Sequence, residues 1–218
     1  MRLRRKPWID KALTEVLESY LYMERLERFS GQWQQRFPGK EICLEIGCGK
    51  GRFITGMAAL HPEKAFIGIE SARDVAFFAA RKAKEAELAN VCILYGNAEH
   101  VAEWFAPGEV ANLYLNFSDP WPKARHAKRR LTHHNFLALY EKLLAPGGKL
   151  RFKTDNRALF DFSLAEFRDY GLELTAVSFD LHHSNYENEV QTEYEERFSS
   201  AGTPINFCEA KFKQRQKA

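Results

Sequence analysis

Residues 41–51 read Glu-Ile-Cys-Leu-Glu-Ile-Gly-Cys-Gly-Lys-Gly. The first six residues are largely apolar and predict a short buried strand. The three glycines that follow at every second position are typical of a tight turn from a strand into a helix. In an open parallel sheet, ligands bind beyond the carboxyl ends of the strands, so this turn is the first candidate binding site.

Strand and helix patterns alternate along the chain from residue 40 onward. The predicted strands cover residues 41–46, 65–69, 91–95, 111–117, 149–153, 172–181 and 205–212, and helices are predicted between the first six of them. This alternation indicates an α/β fold with a seven-stranded, mostly parallel sheet, helices on both faces and an antiparallel final strand. We expect one domain, residues 1–218. It consists of a basic arm over residues 1–39, which includes a helix over 14–29, followed by a catalytic core over 40–218.

Composition fits this organisation and excludes several classes of protein. The chain has 218 residues, of which 45% are hydrophobic and 28% charged, an ordinary globular balance. No apolar run is long enough to cross a bilayer, and none follows the basic N-terminus, so we expect no membrane association and a cytoplasmic location. The four cysteines are scattered without metal-ligand spacing, so we expect no metal.

The glycine turn favours one class of cofactor. A dinucleotide fingerprint requires a third glycine at position 52, where this chain has Arg52. The carboxylate of Glu45 would repel a pyrophosphate but suits a cation, which favours S-adenosylmethionine. Glu70 could accept the ribose hydroxyls, and Asn97 could face the adenine. The predicted cofactor residues are therefore Glu45, Gly47, Gly49, Gly51, Glu70 and Asn97, the alternative being a structural turn with incidental acids.

Two further segments suggest a nucleic-acid substrate. Residues 116–123 read Asn-Phe-Ser-Asp-Pro-Trp-Pro-Lys, where the prolines stiffen a loop and Trp121 offers a face for a base to stack on. The alternative is a rigid surface loop with a core tryptophan. Next comes a basic run that could contact phosphates, through Arg125, His126, Lys128, Arg129 and Arg130.

Carboxylates near the end of the chain could select guanine. Guanine presents two adjacent donors, and one carboxylate can accept both. Asp155 and Glu195, the latter within the polar segment 185–196, are the candidates. A helix N-cap is an equally good interpretation of Asp155, and an exposed loop is the alternative for residues 192–195.

Together, residues 116–123, 125–131, 153–156 and 192–195 resemble the bacterial tRNA (guanine-N7-)-methyltransferases over nearly the whole chain. The resemblance implies a Rossmann-like class I methyltransferase that uses S-adenosylmethionine to methylate N7 of the variable-loop guanine, position 46, of tRNA. It adds Asp119 to the cofactor residues and implies substrate contacts by Lys123, Asp155, Thr192, Glu193, Tyr194 and Glu195. The family often has Asp where this chain has Asn97, so we expect at most weaker cofactor binding.

The chemistry of N7 needs no general base, because this nitrogen carries a free lone pair. We expect Asp119 to act as the catalytic residue by stabilising the positive charge that appears on the ring. Two alternatives stay open: methylation of an exocyclic amine, which the placement of Trp121 between the prolines disfavours, and a tRNA-binding protein without catalysis. A homodimer is possible.

Overall fold

Eight strands form one sheet in the computed structural model, which describes residues 7–213. The strands are β1 (Leu21–Tyr22), β2 (Glu41–Ile46), β3 (Lys64–Glu70), β4 (Val91–Tyr95), β5 (Val110–Asn116), β6 (Leu144–Thr154), β7 (Leu172–Ser178) and β8 (Asn206–Phe212). The α-helices of this part of the chain are α1 (Pro7–Ala12), α2 (Trp33–Arg36), α3 (Arg52–Leu60), α4 (Arg73–Glu85), α5 (Val101–Trp104), α6 (His134–Leu143), α7 (Arg157–Tyr170) and α8 (Glu193–Ser200).

The strand order, β1-β4-β3-β2-β5-β6-β8-β7, places β2 at the centre. Neighbouring strands from β1 to β6 are parallel, whereas β8 runs antiparallel to both β6 and β7. The predictions of a mostly parallel sheet and an antiparallel final strand are confirmed. The chain builds outward from β2 to one side and from β5 to the other, so the switch in direction, where such sheets bind ligands, falls beside the glycine turn.

Alternate residues of the strands point into two separate cores. On β2, Ile42, Leu44 and Ile46 pack with residues of α5, α6 and α7, whereas Cys43 packs with residues of α3 and α4. Both cores are apolar and buried, as expected for a sheet covered on each side. Helices therefore lie on both faces, as the sequence predicts.

The helix predicted over residues 14–29 is wrong, and so is the count of seven strands. Glu18 and Arg25 have positive φ, which interrupts a helix. Between them, β1 adds an eighth strand to the edge of the sheet, and the amide of Ile93 donates to the carbonyl of Tyr20 at 2.7 Å. Burial of Leu21 and Tyr22 against β4 outweighs a helical pattern that is local only.

Candidate active site

A cleft with about 410 Å³ of empty space opens at the carboxyl ends of β2 and β5. Its walls are the glycine turn, the start of α3, the end of β5 and the start of α8, contributed by Glu45, Gly47, Cys48, Gly49, Lys50, Arg52, Phe53, Asn116, Phe117, Thr192, Glu193 and Tyr194. The structure thus brings the predicted Glu45, Gly47, Gly49 and residues 192–194 together around one space.

Glu45 is a buried carboxylate on the wall of this cleft, only 3% exposed. Its Oε1 accepts a hydrogen bond from Asn116 Nδ2 at 2.9 Å, whereas its Oε2 has no hydrogen-bond partner among the described residues. Burial raises the pKa of Glu45 to about 8, although the bond from Asn116 and the nearby charge of Lys153 lower it. A cationic ligand would supply the missing partner and favour the charged form.

The glycines make room for such a ligand in two different ways. Gly47 and Gly49 have φ of +79° and +56°, and a Cβ on either would meet no atom within 4 Å. Their bare backbone lets a ligand approach closely. Gly51, also predicted to bind the cofactor, lies outside the cleft lining and is buried against Ala79 of α4, where a Cβ would meet the Ala79 Cβ at 2.8 Å.

Glu70 and Asn97 lie outside the residues that line the cleft, and both already accept hydrogen bonds from backbone amides. Glu70 ends β3, and its two oxygens accept from the amides of Gly49 at 3.1 Å and Ala72 at 2.8 Å. A carboxylate has about four acceptor sites, so two remain for ribose hydroxyls. Asn97 is exposed, and its Oδ1 accepts from the amide of Glu99 at 3.1 Å as a helix cap.

The loop after β5 is held in a strained conformation. Phe117 and Trp121 both have positive φ, +52° and +41°, which is unusual for bulky residues. Arg130 Nε donates to the carbonyl of Pro120 at 3.1 Å, and its Nη2 donates to the carbonyl of Trp121 at 3.1 Å. These bonds fix the two residues that follow Asp119, whose own side chain is exposed and has no hydrogen-bond partner among residues 7–213.

The basic run forms a short 3₁₀ helix, Ala124–Arg129, in front of this loop. The guanidinium of Arg129 lies 4.9 Å from the ring centroid of Trp121, so this face of the indole is covered. Lys123, Arg125 and Lys128 are exposed, as RNA contacts require, and His126 is half-buried with its ring edge-on to Trp121. Arg130 differs from them because its N–H groups donate to the loop. Its guanidinium carbon also lies 4.2 Å from the ring centroid of Phe162.

Residues 192–195 begin a helix that the sequence interpretation missed. Thr192 Oγ1 accepts from the amide of Glu195 at 2.9 Å, and Glu195 Oε2 accepts from the amide of Thr192 at 3.4 Å. This is a capping box, and the spacing Thr-x-x-Glu is its sequence signature, which could have revealed α8. The interpretation of residues 192–195 as an exposed loop is therefore wrong.

Within α8, the predicted substrate residues lie in different surroundings. Glu193 is exposed and pairs with Lys82 at 3.3 Å. Tyr194 is 57% exposed and stacks on Phe117, with ring centroids 6.4 Å apart. Glu195 is fully buried and pairs with Lys153 at 2.8 Å, so contact with a base would require it to leave this partner.

Asp155 follows β6 on the same rim, and its carboxylate has no hydrogen-bond partner in the described part of the chain. The alternative interpretation of Asp155 as the helix cap is wrong, because Asn156 Oδ1 accepts from the amide of Leu159 at 2.8 Å and caps α7. The sequence interpretation missed the functional placement of Asn116 and Phe117, which depends on how β5 pairs with β2.

Solved structures with this architecture identify the fold. The 16S rRNA methyltransferase KamB superposes with a TM-score of 0.63 at 13% identity, over 82% of this chain and 91% of that one. A 16S rRNA (adenine(1408)-N(1))-methyltransferase from Catenulisporales acidiphilia, crystallised with its cosubstrate S-adenosylmethionine, gives 0.61 at 17% identity, over 86% and 93%. The fold is therefore that of an S-adenosylmethionine-dependent methyltransferase.

Sequence relatives narrow the class to one family. A family described as "Putative methyltransferase" matches residues 39–208. The tRNA (guanine-N(7)-)-methyltransferase of Listeria monocytogenes serotype 4a is 50% identical over 97% of this chain and 99% of its own length, and that of Bacillus subtilis is 47% identical over 98% and 100%. The chain belongs to the tRNA (guanine-N(7)-)-methyltransferase family, which confirms the predicted family and enzyme class.

Proposed function

We propose that this protein transfers the methyl group of S-adenosylmethionine to N7 of the variable-loop guanine, position 46, of tRNA. The observation that carries the proposal is the buried carboxylate of Glu45, with one unpartnered oxygen, in a cleft beside the bare backbone of Gly47 and Gly49. Such a site fits a cation without phosphates. The names and full-length similarity of the relatives support the substrate and the reaction.

Three predicted side chains, one in the cleft and two outside its lining, would each bind a different part of the cofactor. Glu45 would take the ammonium group through its unpartnered Oε2, and Glu70 would take the ribose hydroxyls through its two remaining acceptor sites. Asn97 would offer its amide to the adenine edge. When bound, S-adenosylmethionine supplies a methyl carbon made electrophilic by its sulfonium group.

Methyl transfer itself is a displacement that needs positioning more than acid–base catalysis. The N7 lone pair forms the new N–C bond while the C–S bond breaks and its electron pair stays on sulfur, so the positive charge moves to the purine. Asp119 lies exposed on the loop after β5, where a carboxylate would stabilise that charge. The prolines on the loop and the two bonds from Arg130 keep Asp119 in place.

On the substrate side, the exposed basic residues favour an RNA. The exposed Lys123, Arg125 and Lys128 would neutralise phosphates beside the cleft, while Asp155 would select the guanine edge. Because N7 takes part in tertiary contacts in folded tRNA, we expect the target base to be partly extruded, at a cost of a few kcal/mol. A 2-aminopurine probe at the target should become more fluorescent on binding.

The decisive experiment is transfer of labelled methyl to unmodified tRNA, followed by nucleoside mapping with mass spectrometry. We expect 7-methylguanosine at the variable loop, and Asp119→Asn should lower the single-turnover rate about 100-fold at saturating tRNA and cofactor. An N-methylated amine would replace the proposal with the exocyclic-amine alternative. A protein that fails to bind S-adenosylmethionine in calorimetry would support the non-catalytic alternative.

Other expectations stay predictions. Residues 7–213 contain no helix that is long and apolar enough to cross a membrane. The cytoplasmic location, the single-domain organisation, the homodimer and the absence of a metal are each proposed on sequence grounds only. One group, His133, His134 and Glu166, has possible ligand atoms within 4.8 Å of one another, but His133 Nδ1 and Glu166 Oε2 already accept the amides of Asn135 and His134.

A further inference from the structure

Lys153 is a buried cation that connects the cofactor cleft with the start of α8. It lies on β6 directly beside Asn116 of β5, which in turn donates to Glu45. Its side chain is 7% exposed, and its Nζ lies 5.1 Å from the ring centroid of Phe53. A buried ammonium is stable only if its N–H groups have acceptors. The acceptors of Lys153 therefore show which segment of the chain it fixes.

All three donors of the Lys153 ammonium point into one segment, residues 188–195. Nζ donates to Glu195 Oε2 at 2.8 Å, to Asn188 Oδ1 at 3.1 Å and to the carbonyl of Val190 at 3.4 Å. An ammonium has three N–H groups, and each of them therefore has an acceptor within this segment. Burial lowers the pKa of Lys153, and the adjacent carboxylate of Glu195 opposes that shift.

Glu195 connects Lys153 to the wall of the cleft through further hydrogen bonds. Besides Lys153, it accepts from Asn188 Nδ2 at 2.5 Å and from the amide of Thr192 at 3.4 Å. His182 Nε2 lies 3.2 Å from Glu195 Oε1 but is not aligned for a hydrogen bond. Because Glu195 is fully buried, loss of Lys153 would remove the permanent counter-charge at 2.8 Å, and residues 188–195 would have to move to hydrate the carboxylate.

We propose that Lys153 is a positioning residue for binding: its ammonium fixes residues 188–195 on the sheet so that Thr192, Glu193 and Tyr194 form the outer wall of the cleft. Without this anchor, Tyr194 also loses its fixed place on Phe117, at the loop that carries Asp119. The substrate part of this inference rests on the proposed function, whereas the cofactor part does not.

The test compares Lys153→Met with Lys149→Met on the same strand. Lys149 pairs with Glu209 at 3.1 Å, away from the cleft, and Glu209 keeps Arg151 as a partner, so this control removes an ion pair without touching residues 188–195. We expect Lys153→Met to raise the Kd of S-adenosylmethionine and the KM for tRNA about tenfold or more, with a much smaller change in kcat. Lys149→Met should change both constants less than about twofold.

If Lys153→Met does not fold, a second variant and one measurement on the wild type still test the proposal. Lys153→Met with Glu195→Gln removes the unpaired charge, and it should fold but show the same weaker binding and faster hydrogen exchange at residues 188–195. In the wild type, S-adenosylmethionine should slow exchange of residues 192–194. Wild-type constants in the double variant, or unchanged exchange on cofactor binding, would overturn the positioning role. Weaker cofactor binding without any 7-methylguanosine from the wild type would instead reject only the proposed function.

Discussion

Gly47 and Gly51 have the same backbone conformation but different surroundings. Alanine at each position therefore separates the cost of a left-handed backbone from the cost of a steric overlap. Both have φ of +79°. A left-handed conformation costs an alanine about 1–2 kcal/mol at either site. At Gly47 the new methyl group meets nothing within 4 Å, whereas at Gly51 it lies 2.8 Å from the Cβ and 3.0 Å from the Cα of Ala79. Overpacking of this kind adds about 1–3 kcal/mol.

We therefore expect Gly47→Ala to lower the free energy of unfolding by about 1–2 kcal/mol and Gly51→Ala by about 2–5 kcal/mol. Binding should show the opposite order, because Gly47 lines the cleft and Gly51 does not. Gly47→Ala should weaken S-adenosylmethionine binding about tenfold, measured by calorimetry on folded protein.

Urea unfolding, followed by circular dichroism, measures the stability difference. Ala79→Gly supplies an internal control, since it removes the nearer of the two clashing carbons. In a double-mutant cycle, Gly51→Ala and Ala79→Gly should be less destabilising together than the sum of the single effects, whereas Gly47→Ala and Ala79→Gly should be additive. If Gly51→Ala were no less stable than Gly47→Ala, the inference that Gly51 serves the packing of α3 on α4 would be wrong.

Two further predictions concern catalysis and pH. Arg130→Lys keeps the charge but cannot reproduce both bonds to Pro120 and Trp121, so we expect kcat to fall about 10- to 100-fold with little change in the KM for tRNA, whereas Lys128→Ala should raise that KM and reduce its salt dependence. Equal effects on KM would assign Arg130 to RNA contact instead. Glu45 has a pKa raised to about 8 by burial, so below that pH a cationic cofactor must displace a proton. Affinity for S-adenosylmethionine should therefore rise from pH 6.5 to about 8 and then level off, and Glu45→Gln should abolish this dependence in calorimetric titrations; an unchanged slope in the variant would exclude Glu45 as its source.

The sequence by itself determined the alternation of strands and helices, the class of fold and the position of the glycine turn, because these depend on local periodicity and on residue types at short spacing. The apolar run before Gly47 and the acid at position 45 are enough to predict a ligand site at the end of β2, and this site stays a prediction. These features can be interpreted without knowing how distant parts of the chain pack. The family resemblance likewise rests on short segments read directly from the sequence.

Tertiary structure alone decided which distant groups meet. Within residues 14–29, Leu21 and Tyr22 form a short edge strand instead of part of one helix, because their burial against β4 outweighs local propensity. The pairing of β5 with β2 brings Asn116 to Glu45, and the pairing of β5 with β6 brings Lys153 beside Asn116. Such contacts join residues more than 35 positions apart in the chain. Nothing in the sequence spacing of these residues indicates that they are in contact. The role of Gly51 is also set by tertiary packing, through the approach of Ala79.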